Sequence, residues 1–482
     1  MRAFIHEADL SKFKGIRRIA AAGMQSVGVQ VLATVFFYLL SVYFSKEDFG
    51  IISWCNAVAF MLVTATGLGM EQVALRNMAV EKKQLLSRTL SVFFLHTLLS
   101  AVVLFILLVV LAGMFPLSYR LSLLPYFFGA QALLYAAAPF RVLLNARSRF
   151  TPYAVISMCS NLAKVGLTLY FGKDITLNTA LWILCGAHAF ELIALILFLG
   201  LGIRLPFAPA WKRYKKLVHE SLPQYLSVLF DMALARADWI LVGALASTAA
   251  VAEYSFAYRA FEMERLPTVM ATTLLLPLAS RALGHSGVPG KDTLPVFPVL
   301  LVAIPALMGW LATVGAFLWE PVVGGLLGSE YGSASRVPFT WLSLALPFQF
   351  AINLLWIQLF AARHYRVVAR NTAITAVTNI GLSCLLIPFF GASGSAVSFL
   401  IAAFVQFFLY TGATFKAGFT LPLRRLLLLF LLQLIFITLC LVKLPVWSKA
   451  LGIGVLYPLV LWGTRLLRPK DLLLLLNLKR PS

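Results

Sequence analysis

Residues 90–115 read LSVFFLHTLLSAVVLFILLVVLAGMF, a run of 26 positions without a lysine, arginine, aspartate or glutamate. A helix needs about 20 mostly apolar residues to cross a bilayer, because its backbone N–H and C=O groups must bond within the segment. This run is therefore long enough to span a membrane as one helix.

Runs of the same kind recur along the whole chain. Hydrophobic residues make up 61% of the 482 residues and charged residues only 12%, against roughly 25% charged in soluble domains. Apolar runs between charged or Gly/Pro breaks predict fourteen spans. They lie at residues 19–44, 49–70, 90–115, 121–144, 152–171, 177–201, 222–246, 252–280, 294–319, 337–361, 367–389, 393–415, 424–443 and 446–464. The predicted fold class is an all-α polytopic membrane protein.

The basic residues predict the orientation of these spans. With the amino terminus inside, the cytoplasmic segments hold 30 Lys and Arg and the outer loops hold six. Cytoplasmic loops of membrane proteins are enriched in Lys and Arg, so both termini are predicted to be cytoplasmic. The same bias accounts for the net charge of +22 without a nucleic-acid partner.

The first apolar run, the spacing of the cysteines and the absence of catalytic motifs exclude several classes of protein. The first apolar run, residues 19–44, is longer than the roughly 7–15 residues of a signal-peptide core, which predicts an uncleaved span. The five cysteines stand singly, without CxxC or Cys/His spacing, so neither a disulfide nor a zinc site is predicted. A Walker loop, an HExxH motif and a nucleophile elbow are absent from the sequence, and we expect a protein that is not an enzyme and holds no cofactor.

A weak internal repeat predicts the organisation of the spans. Residues 49–53 (FGIIS) follow a short outer loop, as do residues 253–257 (EYSFA). The predicted domains are a basic amino terminus at 1–18, a six-helix lobe at 19–205, a cytoplasmic linker at 206–221, a second six-helix lobe at 222–415, two further spans within 424–464 and a basic tail at 465–482. Transporters are often built from such repeated halves, with the substrate site between them.

Charged residues within the second-lobe spans are the first candidates for a site. Each costs roughly 2.5–3.5 kcal/mol on insertion scales, so it is expected to face a partner or a wet cavity. The seventh span holds Asp231 and Asp238 on one face and Arg236 on the other, while Arg259, Glu262 and Arg265 follow one face of the eighth, with Glu264 opposite. Two interpretations stay open: ion pairs such as Asp238 with Arg259 that join the helices, or a cationic lining that meets phosphate.

The first-lobe spans carry a second group of candidates. Lys164 and Asn161 share a face of the fifth span, and His188 and Glu191 lie one turn apart on the sixth. The Lys164 ammonium either holds a phosphate or pairs with Glu191. On the first span Gln30 belongs to a polar stripe with period four, together with residues 26, 34 and 38, which either joins helices by hydrogen bonds or lines a sugar path.

Several short motifs resemble a known family. They are residues 45–51 (SKEDFGI), 67–71 (GLGME), 75–76 (LR), 236–243 (RADWILVG), 252–255 (AEYS), 379–381 (NIG) and 386–396 (LIPFFGASGSA). Over most of residues 15–415 the chain resembles the polysaccharide flippase branch, the O-antigen type, of the multidrug, oligosaccharidyl-lipid and polysaccharide exporter superfamily.

The resemblance implies a structure, a substrate and a location. Two six-helix lobes would surround a central cavity and alternate between inward and outward openings in a bacterial inner membrane. The implied partner is an undecaprenyl-type pyrophosphate-linked glycan, with surrounding membrane lipids and glycan polymerase machinery as further partners of a monomer. Such families use ion gradients, so H+ or Na+ is the expected coupling ion.

Three other functions remain alternatives. A multidrug or cation antiporter of the same architecture needs buried carboxylates, which Asp231, Asp238 and Glu262 supply. A lipid II type flippase suits the two trailing spans. A membrane glycosyltransferase usually needs a sizeable outer loop, and the short predicted outer loops argue against it.

Overall fold

The computed structural model of the protein describes a large part of the chain. The described residues are 27–81, 83–114, 119–147, 149–200, 210–283, 297–327, 329–442, 445, 448, 451–464 and 466. Every regular element within these ranges is helical, which confirms the all-α fold class. The predicted basic amino terminus at 1–18 and position 26 of the polar stripe lie outside the described residues.

The helices follow the predicted spans closely. They are α1 Val27–Tyr43, α2 Lys46–Thr66, α3 Met70–Val80, α4 Lys83–Met114, α5 Tyr119–Ala136, α6 Ala138–Ala146, α7 Phe150–Phe171, α8 Leu177–Gly200, α9 Trp211–Leu245, α10 Thr248–Glu264, α11 Leu266–Leu283, α12 Phe297–Leu327, α13 Ser329–Gly332, α14 Arg336–Ala361, α15 Tyr365–Lys416, α16 Leu423–Leu441 and α17 Tyr457–Gly463, which continues a π-helical segment, Gly452–Leu456. In the described part of the chain, eight helical stretches are long and apolar enough to cross a membrane, and shorter apolar helices accompany them. The protein is a multi-pass membrane protein.

The two halves of the sequence repeat start in the same way. Ser45 precedes α2 and its hydroxyl accepts a hydrogen bond from the Asp48 N–H at 3.1 Å. Ser247 precedes α10 and accepts from the Ala250 N–H, also at 3.1 Å. A serine at this position satisfies one of the amides that the first turn of a helix leaves unbonded, so both short connections end in an N-cap.

Two predicted spans are each divided into two helices. The span predicted at 121–144 is divided between α5 and α6 at Ala137, and Pro139 lies in the first turn of α6. The span predicted at 252–280 is divided between α10 and α11 at Arg265, two residues before Pro267. Proline has no N–H to donate and suits the first turn of a helix, so Pro139 and Pro267 are compatible with the start of a new helix at each place.

Helix α15 contains two predicted spans joined by one residue. Gly391 has φ 54° and ψ −130°, a conformation that strongly favours glycine, and the chain folds back there. The Asn371 side-chain amide donates to the Leu409 carbonyl oxygen at 3.2 Å, and the Thr372 and Tyr410 hydroxyls lie 3.2 Å apart. The predicted spans at 367–389 and 393–415 are therefore the two halves of an antiparallel hairpin.

Helices α3 and the start of α9 were not predicted. Helix α9 begins at Trp211, eleven positions before the predicted span at 222, so the linker predicted at 206–221 is helical over most of its length. Its first turns are fastened to the chain near α3 and α4: Arg213 forms an ion pair with Glu81 and donates to the Thr89 hydroxyl at 2.9 Å. Leu217 joins the apolar core beneath them. Packing and ion pairs, rather than hydropathy, set the start of this helix.

The chain divides into two compact units, Met1–Gly243 and Ala244–Ser482, called unit 1 and unit 2 below. The predicted lobe boundary lies near the start of α9, whereas this division falls near its end. In unit 2 the trailing helices α16 and α17 pack against α12. The Gln433 amide donates to the Thr313 hydroxyl at 3.0 Å and its oxygen accepts from Tyr457 at 2.9 Å.

Candidate functional site

Unit 1 contains a cavity of about 440 Å³. Helices α2, α3, α5, α6 and α9 contribute to its wall. The polar side chains that line it are Thr64, Glu71, Gln72, Gln131, Tyr135, Arg141 and Asn145. A cavity of this size suits a small head group, and its amides and hydroxyls provide both donors and acceptors.

A tight turn sets the position of the acidic residue in this wall. Gly69 has φ 68°, and a β-carbon there would lie 3.2 Å from the Tyr225 Cα atom of α9. Glycine fits both the left-handed backbone and the close approach. Glu71 follows in the first turn of α3, where the helix dipole favours a negative charge.

Arg141 is the cation of the cavity wall. Its Nη2 atom donates to Glu71 Oε1 at 3.2 Å, and the side chains of Arg141 and Glu71 are 25% and 52% exposed. Arg141 also hydrogen-bonds with the Tyr153 side chain of α7. The pair is accessible enough for an anionic ligand to compete with Glu71 for the guanidinium.

Lys164, His188 and Glu191 come together on the side of α7 and α8 facing the interior of unit 1. Their exposed fractions are 7%, 3% and 3%. Lys164 interacts electrostatically with both His188 and Glu191, and Glu191 also interacts with Arg141. The two cations and two carboxylates of this region form one network that reaches the cavity through Arg141.

The remaining unit 1 candidates have different surroundings. Asn161 is 4% exposed and donates to the Ser157 carbonyl oxygen of its own helix at 2.8 Å, and Gln30 is half-buried on α1. On α9 the Arg236 guanidinium lies over the Trp239 ring at 4.7 Å. Asp238 is fully buried and accepts from the Trp239 N–H at 2.9 Å, whereas Asp231 is exposed.

In unit 2 the predicted charged face of α10 contains an ion pair. Arg259 Nη1 lies 3.8 Å from Glu262 Oε2, and both side chains are less than one-fifth exposed. Glu264, predicted on the opposite side of the helix, instead accepts a hydrogen bond from the Ser343 hydroxyl of α14 at 3.1 Å. The predicted pair of Asp238 with Arg259 joins the two units and stays a prediction.

Sequence reasoning missed the cavity residues Arg141, Gln72 and Gln131. Arg141 is one of the 30 Lys and Arg assigned to cytoplasmic segments, although it lies inside the predicted span at 121–144. Its partner Glu71 ends the GLGME motif that carried the family resemblance. An acidic residue two positions after a Gly-x-Gly turn was the available signal.

A family model described as polysaccharide biosynthesis protein matches residues 17–283. The chain belongs to the polysaccharide biosynthesis protein family. The match contains the whole cavity wall and the network around Lys164. No curated protein matches this member of the polysaccharide biosynthesis protein family.

Solved transporters share the fold of this polysaccharide biosynthesis protein. The lipid II flippase MurJ in an inward closed conformation is similar with a TM-score of 0.72 and 16% identity, over 91% of this chain and 97% of that chain. An inward-facing multidrug resistance MATE family transporter of the MOP superfamily gives 0.59 and 16%, over 81% and 95%. The MATE transporter VcmN of Vibrio cholerae in its bent form gives 0.56 and 13%, over 83% and 97%. At these identities the likeness establishes the fold, and it confirms the predicted flippase and exporter architecture.

Proposed function

We propose that this protein flips a polyprenyl-pyrophosphate-linked oligosaccharide from the cytoplasmic to the outer leaflet by alternating access. The observation that carries the proposal is the unit 1 cavity, whose wall combines apolar side chains with amides, hydroxyls and the Arg141 guanidinium, in an apolar multi-pass protein of the polysaccharide biosynthesis family. An undecaprenyl-type carrier, a bacterial inner membrane, cytoplasmic termini and a monomeric state belong to the same proposal.

The chemistry of the cavity suits a pyrophosphate. Pyrophosphate and sugar hydroxyls cannot cross hydrocarbon without replacing their water, so the protein must supply cations and hydrogen-bonding groups. A guanidinium binds two phosphate oxygens at once, and an incoming pyrophosphate displaces Glu71 from Arg141. Gln72 and Asn145 then offer amides to the first sugar. Gln131, whose amide nitrogen donates to Asn56 at 2.6 Å, offers its amide oxygen.

The buried network strengthens the cation of the wall. Glu191 interacts with both Arg141 and Lys164, so the two cations share one internal carboxylate. When a ligand replaces Glu71, the positive charges of Arg141 and Lys164 are balanced by the negative charges of Glu191 and the ligand. Lys164 therefore supports anion binding from behind the wall, while Arg236 and Arg259 remain candidates for later positions along the path.

Two alternatives concern the substrate. The fold similarity to MurJ supports a lipid II type substrate, which carries the same pyrophosphate linkage. A MATE-like cation exporter would use Glu71, the exposed carboxylate of the cavity, but the ion pair with Arg141 weakens its attraction for a second cation. The arginine in the wall favours an anionic substrate.

The test is translocation of a fluorescent polyprenyl-pyrophosphate oligosaccharide in proteoliposomes. Arg141→Gln is expected to lower the flipping rate at least tenfold, because a hydrogen bond to a charged group contributes about 1.5–3 kcal/mol. Arg336→Gln is the matched control: Arg336 pairs with Glu320 at 2.6 Å, with the same side-chain exposures of 25% and 52%. Equal losses in both variants would contradict a role of the cavity, and efflux of an organic cation without glycan flipping would support the exporter.

A further inference from the structure

The carboxyl group of Glu264 lies in a small space in unit 2. Glu264 is the last residue of α10, and its Oε2 atom accepts the Ser343 hydroxyl of α14 at 3.1 Å. Its Oε1 atom lies against Gly315 of α12, where an added β-carbon would be only 2.5 Å away. The ring of Phe339 is 3.6 Å from the same point and stacks on Trp319 at 3.8 Å. The carboxyl occupies the space that the glycine leaves.

The charged groups on the neighbouring helices have other partners. On α10 itself Arg259 pairs with Glu262, and the Arg265 guanidinium lies 5.6 Å from the centre of the Phe261 ring. At the junction of α12 and α14, Glu320 pairs with Arg336. On α15, which also packs on α10, the Tyr410 hydroxyl bonds with Thr372 and the Val368 carbonyl. Among the described residues Glu264 has the Ser343 hydroxyl as its hydrogen-bond partner and no ion pair.

This arrangement is unfavourable for an ionised carboxylate. Glu264 is sixteen positions after Thr248, about 24 Å along α10, in a membrane whose hydrocarbon core is about 30 Å thick. A buried charge needs a cation or several hydrogen bonds, and one neutral hydroxyl is a weak substitute. Binding a proton removes the charge and needs no movement of the helices.

A metal cation fits this site poorly. Hard cations such as calcium and magnesium take about six or more oxygen ligands, whereas two carboxylate oxygens and one hydroxyl converge here. In the part of the chain that the structure describes, no group of three or more His, Cys, Asp or Glu residues is arranged to hold a metal ion. The proton is the ligand that these three atoms accommodate.

We propose that Glu264 is the binding site of the coupling proton, taken up by the carboxylate from water on one side of the membrane and released on the other during each cycle. The residue is half-buried, and a water route to the carboxyl in each of the two transport states is part of the proposal. The other carboxylates in this region, Glu262 and Glu320, have arginine partners. The role in transport rests on the proposed flippase function, whereas proton binding by Glu264 does not.

The first experiment measures the proton directly, on purified full-length protein without substrate. Infrared difference spectra recorded during a pH titration are expected to contain a protonated-carboxyl C=O band that Glu264→Gln removes and Glu320→Gln retains. Ser343→Ala is expected to keep this band and change its frequency, because the hydrogen bond at the carboxyl is lost. Because the chain has 18 Asp and Glu residues, other carboxyl bands also titrate. The same set of bands in the native protein and in Glu264→Gln overturns the site.

The second experiment measures coupling in proteoliposomes that flip the fluorescent lipid-linked oligosaccharide. An imposed proton gradient is expected to accelerate native flipping several-fold and to leave Glu264→Gln with the same rate in the presence and absence of the gradient. Glu320→Gln should respond as the native protein does. Acceleration by a sodium gradient instead overturns proton coupling. If the native protein flips no lipid-linked glycan, the proposed function fails while the infrared result stands.

Discussion

Unit 1 holds its interior charges in a network of both signs, whereas unit 2 leaves the Glu264 carboxyl with a neutral hydroxyl. Arg141 and Lys164 share Glu191, and Arg141 also pairs with Glu71. Such a network responds to a competing anion, because the ligand exchanges with a carboxylate that is already there. An isolated carboxylate responds to a proton, because binding the proton removes the unfavourable negative charge. The two regions are therefore suited to different ligands, the substrate and the driving ion.

The largest expected effect comes from removing one member of the unit 1 network. Lys164→Met leaves Glu191 buried with one cation fewer, and breaking a buried pair typically costs about 3–5 kcal/mol. We expect a clear drop in thermal stability in detergent, measured by the loss of monodisperse protein on heating. The double variant Lys164→Met with Glu191→Gln should recover most of it. Equal stability of the single variant and the native protein would contradict the network.

Exchanging the charges of the cavity wall separates binding from stability. Glu71→Arg combined with Arg141→Glu preserves an ion pair of this partly exposed kind, which contributes only about 0–1 kcal/mol. Because Arg141 also interacts with Glu191, the exchange is made in a Glu191→Gln background. There we expect stability close to that of Glu191→Gln alone and a flipping rate at least tenfold lower, because the cation has moved to the α3 side. Flipping at the rate of Glu191→Gln alone would mean that the position of the guanidinium is unimportant.

The space around Glu264 is tested by filling it. Gly315→Ala adds a β-carbon 2.5 Å from the carboxyl oxygen. Because the end of the Glu264 side chain can rotate away, we expect a cost at or below the lower end of the about 1–3 kcal/mol that overpacking of a core takes. We expect a lower unfolding temperature that Glu264→Ala restores when the two changes are combined. Gly324→Ala, where a β-carbon meets no atom within 4 Å, is the matched control. Additive effects of the first two changes would contradict direct contact.

The smallest effect concerns Glu220, in the polar first turns of α9. A hydrogen bond from the Asn77 amide holds the pKa of this carboxyl below its usual range, and Lys216, Arg76 and Arg213 lower it further. The stabilisation is present above the pKa of the unfolded chain and is lost as the pH falls through the lowered folded value. Glu220→Gln should reduce stability slightly at neutral pH and not in acid, where native and variant proteins converge. A stability difference between the native protein and Glu220→Gln that persists in acid would show that the ionised Glu220 carboxylate is not its cause.

The spans were predictable because lipid imposes length and polarity on them. The predicted run at 177–201 became Leu177–Gly200, and the run at 152–171 became Phe150–Phe171. Hydropathy carries no such signal for α3 or for the start of α9, whose helices are held by Leu217 in an apolar core and by the pair of Arg213 with Glu81. Those contacts join positions more than a hundred residues apart.

The candidate sites were predictable to different degrees. Helical spacing is enough to place Lys164 near His188 and Glu191, because residues one turn apart on one span share a face and meet an adjacent span when the two pack. The environment of Glu264 was not, because it depends on a missing β-carbon on α12 and a hydroxyl on α14. The spacing of residues along α10 predicts neither the missing β-carbon nor the hydroxyl.

The one-residue reversal at Gly391 also constrains how the chain is made. The Asn371 amide and the Thr372 hydroxyl find partners at Leu409 and Tyr410, which leave the ribosome nearly forty residues later. Until then the Asn371 amide, which follows Arg370 near the start of α15, needs water or lipid head groups as partners. Insertion of the second half of α15 replaces those partners with Leu409, so the hairpin reaches its final hydrogen bonding only when both halves are in the membrane.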